Sequence, residues 1–141
     1  MTDVHDKMTR SYNMSQIRSE NTKPEIIVRK FLFANGFRFR LHDKSLPGKP
    51  DIVLPKYKIV ILVNGCFWHQ HLNCYKSHLP KTNIKYWKNK LNSNLIRDLK
   101  NIKLLKKLKL KVFVIWECEI GNGIKNKKFI DFIKKIKSNQ E

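Results

Sequence analysis

The hydrophobic period of the chain changes several times along its length. Residues 1 to 22 are polar with scattered apolar side chains and no sustained period, which predicts a flexible arm that orders on a partner. Thr22 or Lys23 precedes Pro24, a residue suited to a first helical position. Glu25, Ile27, Phe31 and Ala34 follow at helical spacing until Gly36. The period then shortens to two. Phe37, Phe39 and Leu41 alternate with Arg38 and Arg40, which predicts a strand with one face on a core and one basic face.

A turn-rich stretch from Ser45 to Pro50 leads into Asp51 to Leu54, and Pro55-Lys56 separates these from Tyr57 to Val63. The two runs predict a hairpin whose second strand is central and buried. Gly65 to about Thr82 is a loop rich in Cys, His and aromatic residues. From Asn83 a helical pattern carries Ile84, Trp87, Leu91, Leu95, Leu99, Ile102, Leu105 and Leu108 on one side, as one long helix or two. Lys111 to Trp116 predicts another buried strand. After Gly121-Asn122-Gly123, Phe129, Phe132, Ile133 and Ile136 define a terminal helix. Helix, three strands, helix, strand, helix is an α/β order: a mixed β-sheet covered by helices on both faces. A chain of 141 residues has the size of one domain, here 23–141 behind the arm of 1–22.

Charge narrows the function. Thirty Lys and Arg against eleven Asp and Glu leave a net charge of +19, spread from Lys7 to Lys137. Such a field favours a polyanion, and nucleic acid fits best, because basic groups set against phosphates release condensed counterions. Part of the excess is compositional lysine bias, visible in the Asn-Lys runs after Asn83. Neither a bilayer-spanning apolar stretch nor a signal-peptide pattern is present, so the expected location is the cytoplasm, on the nucleoid when DNA is bound. Three cysteines, an odd number, favour metal binding or burial over a disulfide framework.

Two groups of residues carry candidate chemistry. Asp51 opens a strand, and the return strand brings Val63 and Asn64 back to the same end. A carboxylate there can hold magnesium for in-line hydrolysis of a phosphodiester; it can equally cap a turn after Pro50. Cys66, His69, His71 and Cys74 fall within nine residues, and Cys118 ends a later strand. Three cysteines and one histidine suit a closed, structural zinc site, against buried cysteines with surface histidines as the other reading. His69 would then be left over, and histidine is the side-chain type that takes up a proton near neutrality, as a general base must. Phe67, Trp68 and Trp87 either wedge between base pairs or pack under the loop, and Met14 and Ile17 in the arm invite the same two readings.

Several strings occur together. Asp3-Val4-His5-Asp6-Lys7, Arg10-Ser11, Asn13-Met14, Ser45-Leu46-Pro47-Gly48-Lys49-Pro50-Asp51, Gly65-Cys66-Phe67-Trp68-His69, Arg97-Asp98 and Val114-Ile115-Trp116-Glu117-Cys118 span most of the chain up to about residue 120. In these the chain resembles the very-short-patch repair endonucleases, whose fold is related to type II restriction endonucleases. The resemblance implies a strand-nicking enzyme that cuts 5′ of the T in a T:G mismatch left by deamination of 5-methylcytosine. It would act as a monomer on double-stranded DNA, in company with a cytosine-5 DNA methyltransferase. It further implies that Asp51 holds Mg2+ with the main-chain carbonyl of Val63, that His69 is the general base, and that Glu25 supports the site through water. Cys66, His71, Cys74 and Cys118 would bind Zn2+. Phe67, Trp68 and Trp87 would wedge from the major-groove side and Met14 and Ile17 from the minor groove, while Lys90 and Asn94 would read the mismatched pair.

The chain departs from the family pattern at three places. An extra residue separates His71 from Cys74, so Leu72 or Asn73 must bulge or the ligand set must shift. Asn64 stands where a second active-site histidine is expected, and Val63 where a threonine is. An amide in place of an imidazole removes a titratable group from the catalytic set. The alternatives are a restriction-type nuclease acting on correctly paired DNA, for which a stable dimer would speak, and a catalytically silent DNA-binding factor.

Overall fold

A computed structural model of the protein describes residues 21–121 and 123–139; Met14, Ile17 and nearly all of the expected arm lie outside them. The first helix, α1 (Lys23–Ala34), begins where the sequence signals it. The Thr22 side chain accepts from the Glu25 N–H at 3.4 Å, and Pro24 sits in the first turn. Gly36, at φ 82°, takes the left-handed conformation that stops the helix.

Four strands follow: β1 (Arg40–Leu41), β2 (Ile52–Leu54), β3 (Ile59–Asn64) and β4 (Lys111–Trp116), in the spatial order β1-β2-β3-β4. β1–β2 and β2–β3 are antiparallel, and β3–β4 is parallel over its whole length, from Ile59↔Lys111 to Asn64↔Trp116. The long helix α2 (Ile84–Lys107) makes the crossover that a parallel pair needs. A terminal helix α3 (Lys127–Asn139) completes the order.

The two-residue alternation of the strands sorts their side chains to two faces. Ile52, Leu54, Ile59, Ile61 and Ile115 pack with Val28 and Leu32 of α1 and Phe129 and Ile133 of α3. Val53 and Val60 point the other way, against Leu105 of α2. The expected mixed sheet with helices on both faces is therefore the observed one, and β2 is buried at all three positions because both of its faces are covered.

Two expectations need correction. The strand foreseen over 37–41 is laddered only at Arg40 and Leu41, opposite Val53 and Ile52. β2 ends at Leu54 and Pro55 starts a 3-10 turn, so residues 37 and 38 run past the end of β2, and the Phe37 N–H donates to Leu32 O at 3.0 Å instead. Phe37 instead drops into the core with its ring 5.3 Å from that of Tyr57. The pattern after Asn83, open between one helix and two, forms one, and its apolar stripe is only in part its inward face. Leu91 and Leu105 are buried, but Leu95 and Leu99 are 38% and 60% exposed. The inward side runs Trp87, Leu91, Asn94, Asp98, Asn101, Leu105, at helical spacing but half polar, because most of α2 lines a cleft instead of lying on the sheet.

This packing separates residues of similar apparent importance. Phe129 is fully buried, with ring centroids 5.9 Å from Phe31 and 5.2 Å from Phe113. Phe129→Ala is expected to cost about 3–5 kcal/mol in urea denaturation, whereas Leu99→Ala should stay within about 0.5 kcal/mol.

Candidate active site and metal centre

A cleft of about 940 Å³ opens where the sheet ends, between the loop before β2, the C-terminal end of β3 and α2. Asp51 reaches it from the residue just before β2, and its Oδ2 accepts from the Val63 N–H at 2.8 Å, so the carboxylate is tied to the end of β3. Glu25, in the first turn of α1, is only 1% exposed although charged. Its Oε2 receives Arg29 Nη2 at 2.6 Å, the Asn21 N–H at 3.1 Å and His42 Nε2 at 3.0 Å. One ligand atom from each of Glu25, His42 and Asp51 lies within 4.8 Å of the other two. Asn64, nearly buried at the last position of β3, lines the same cleft.

Burial is the main reason the Asp51 carboxyl is pushed from 3.8 up to about 7; the Val63 N–H opposes the rise and the nearby Glu25 carboxylate adds to it. A carboxylate in such surroundings takes up a proton or a cation more readily than one in water. Divalent ions with oxygen ligands suit that preference, and the donor set present fits one.

His69 stands on the other wall, in the loop after β3. Its Nδ1 lies 2.5 Å from Asp98 Oδ2 of α2, and both side chains are partly exposed to the cleft. A carboxylate on Nδ1 orients the ring and leaves Nε2 as the nitrogen that can take a proton. Asp98 had no assigned role in the sequence reading; the signal was its place in Arg97-Asp98, without a hint of its partner 29 residues away. His42 and Arg29 were likewise missed.

The loop itself is folded back by successive turns, with the His69 N–H donating to Gly65 O, Gln70 to Phe67 O and His71 to Cys66 O. These turns bring Cys66, His71, Cys74 and Cys118 together, all four offering ligand atoms within 4.8 Å of one another. His71 Nδ1 is 3.6 Å from Cys66 Sγ and 3.4 Å from Cys118 Sγ, and its ring stacks on Trp116 at 4.1 Å and 8°. Between His71 and Cys74, Asn73 takes a left-handed φ of 57° and Leu72 turns out to solvent at 82% exposure, and Cys74 lies with the other three candidate ligands. Burial pushes the Cys66 thiol up to about 12 and raises Cys118 as well. A bound cation reverses that preference, because a coordinating thiol is deprotonated.

Phe67, Trp68 and Trp87 form one aromatic group at the cleft, with centroids 5.1, 5.5 and 6.0 Å apart. All three are only partly buried, so they make a satellite cluster that still presents ring surface outward. Asn94 Nδ2 donates to the Trp68 carbonyl at 3.3 Å, and Lys90, one turn before it, is exposed.

The sequence model of the DNA mismatch endonuclease Vsr family matches residues 2–76. The chain belongs to this family. It is 42% identical over 120 residues to the DNA mismatch endonuclease Vsr of Escherichia coli, covering 85% of this chain and 76% of that one. It is also 52% identical over 122 residues to the type II nicking enzyme V.NmeAIP of Neisseria meningitidis serogroup A, covering 86% of both. The type II nicking enzyme V.XorIIP of Xanthomonas oryzae is 45% identical over 122 residues, covering 86% of this chain and 89% of that one. The protein is thus a DNA mismatch endonuclease with a restriction-endonuclease-like fold, and a nuclease of this family implies a divalent metal ion. No helix among the described residues is long and apolar enough to cross a membrane.

The raised Asp51 carboxyl has a consequence for stability. In the folded, metal-free protein it binds a proton more readily than in the unfolded chain, so its charge opposes folding increasingly from pH 3.8 to about 7 and fully above. With chelator present, Asp51→Asn is expected to raise Tm by several degrees at pH 8, the gain shrinking as the pH falls toward 3.8. Equal Tm values for the two proteins at pH 8 would contradict this account.

Proposed function

We propose that the protein nicks one strand of duplex DNA on the 5′ side of the T in a T:G mismatch, using Mg2+, and so begins very-short-patch repair of deaminated 5-methylcytosine. The observation that carries this reading is the shared cleft: a buried Glu25 and a half-buried Asp51 on one wall, the His69–Asp98 pair on the other and an aromatic group beside them. The names of the relatives add nicking and mismatch cleavage as activities of those proteins.

In this reading Asp51 and the Val63 carbonyl hold the magnesium ion, with Glu25 supporting it through water. When bound, the ion neutralises charge growing on the phosphoryl oxygens. His69 takes the proton of the attacking water at Nε2 while Asp98 steadies the imidazolium that forms. Asn64, an amide, orients by hydrogen bonds and cannot share in the proton transfer, which leaves that task to His69.

Mismatch selection follows from deformability. Unstacking a base step costs a few kcal/mol and costs least where pairing is already poor. Phe67, Trp68 and Trp87 are proposed to wedge into the duplex, Lys90 and Asn94 to read the mismatched pair, and Met14 and Ile17 of the arm to enter the minor groove. Residues 1–22 would serve as a DNA-embracing arm on a single endonuclease domain of 23–141. The protein would work as a monomer in the cytoplasm, paired functionally with a cytosine-5 DNA methyltransferase. The Cys66, His71, Cys74 and Cys118 group would hold structural Zn2+ and thereby pin the aromatic loop to β4.

Matched duplexes differing only in a T:G or C:G pair, set in a panel of sequence contexts with Mg2+ and both strands resolved, test the reading. The expected product is a single nick 5′ of the mismatched T, abolished in Asp51→Ala with DNA affinity nearly unchanged. Equal cutting of paired DNA would replace it with a restriction-type activity. Separately, Cys74→Ala should lose the zinc and lower Tm, because binding energy at a closed site is folding energy; a full complement of zinc in that variant would exclude Cys74 as a ligand.

A further inference from the structure

His42 has no assigned part in the catalytic reading, yet its placement is specific. It follows the short β1 with its backbone in the left-handed region, φ 48°, an uncommon conformation for a residue with a side chain. Its N–H donates to the Asp51 carbonyl at 3.1 Å, continuing the β1–β2 ladder by one bond. The imidazole is turned inward, with a side-chain exposure of 12%, and its Nε2 lies 3.0 Å from Glu25 Oε2 and 3.5 Å from Arg29 Nη2. With its hydrogen on Nε2 the ring donates to Glu25; with the hydrogen on Nδ1 it presents an Nε2 lone pair toward the same carboxylate, as a ligand to a shared cation must. One ligand atom from each of Glu25, His42 and Asp51 lies within 4.8 Å of the other two, close enough for the three to share one ion.

We propose that His42 supplies a nitrogen ligand to the ion site that Asp51 and Glu25 line, so that the site that works with Mg2+ also binds Mn2+, and binds it more tightly. This rests on the proposed reading of Asp51 as an ion-holding carboxylate. Mg2+ favours an all-oxygen octahedron and sheds water reluctantly, whereas first-row transition ions accept imidazole alongside carboxylate. His42 is therefore a residue that sets which ion the site selects, and it acts without taking or giving a proton.

The test uses the full-length, zinc-loaded protein titrated with Mn2+, the bound ion being read by electron paramagnetic resonance. Pulsed measurements on protein labelled with 15N-histidine report whether a histidine nitrogen is coordinated directly. The expected result is one such nitrogen on the bound Mn2+ and displacement of Mg2+ by Mn2+. In His42→Gln the nitrogen coupling should vanish and Mn2+ affinity should fall on the order of tenfold, with zinc content and Tm retained. His69→Gln should keep the coupling, so the assignment holds even if His42→Gln folds poorly. Mn2+ bound without histidine nitrogen in the unaltered protein overturns the proposal and leaves Asp51 as an ion ligand. Coupling that survives in His42→Gln, or is lost in His69→Gln, overturns it by moving the ligand elsewhere. Failure of Mn2+ to bind, or undiminished binding in Asp51→Ala, overturns the reading of the ion site and the proposal with it.

Discussion

A buried carboxylate, Glu25, within reach of a half-buried one, Asp51, is the constraint on which the cleft depends. Glu25 is fixed in the first turn of α1 by Arg29 and by the start of the helix, and Asp51 is fixed to β3 through the Val63 N–H. Neither can retreat to solvent without unpicking an element end. Mutual repulsion and lost hydration then favour whatever brings positive charge between them, so the fold holds open a cation site at a cost to its own stability. The path of the chain around this point follows from that need. The sheet stops there, the first helix begins there, and α2 turns Asn94, Asp98 and Asn101 toward the same space, with Leu105 at its inner end.

The second cation site works at the opposite level of the hierarchy, by stabilising structure. Residues 65–82 hold few buried apolar side chains and, apart from a short 3-10 turn at Tyr75–Ser77, little regular structure, so packing alone gives them a weak hold on the sheet. Three thiols and His71 converge between the loop and the end of β4, and the stacking of His71 on Trp116 continues that attachment. Phe67 and Trp68 follow directly on Cys66, which makes their position a consequence of the ligand's. If the group deforms a duplex, as proposed, it has to be stiff, since a yielding one would fold back before the base step opened.

Much of the protein was legible in its amino-acid order. The changes of period from helix to strand located the elements, the excess of lysine and arginine pointed to a polyanion, and the types and spacing of Asp51, His69 and the Cys/His group named the donors. These are local properties, written within a few neighbouring residues, and the repeat of 3.6 or 2 that reports them survives whatever the rest of the chain does. What only the tertiary structure decided lies in pairings across long separations. His42 meets Glu25 from 17 residues away and Asp98 meets His69 from 29. The middle of the leucine stripe on α2, Leu95 and Leu99, faces outward while Leu91 and Leu105 are buried, and β1 is laddered at only two residues. Such facts depend on register, on which helix face the cleft claims and on single left-handed residues. No periodicity carries them, because they are settled only when distant segments compete for the same space.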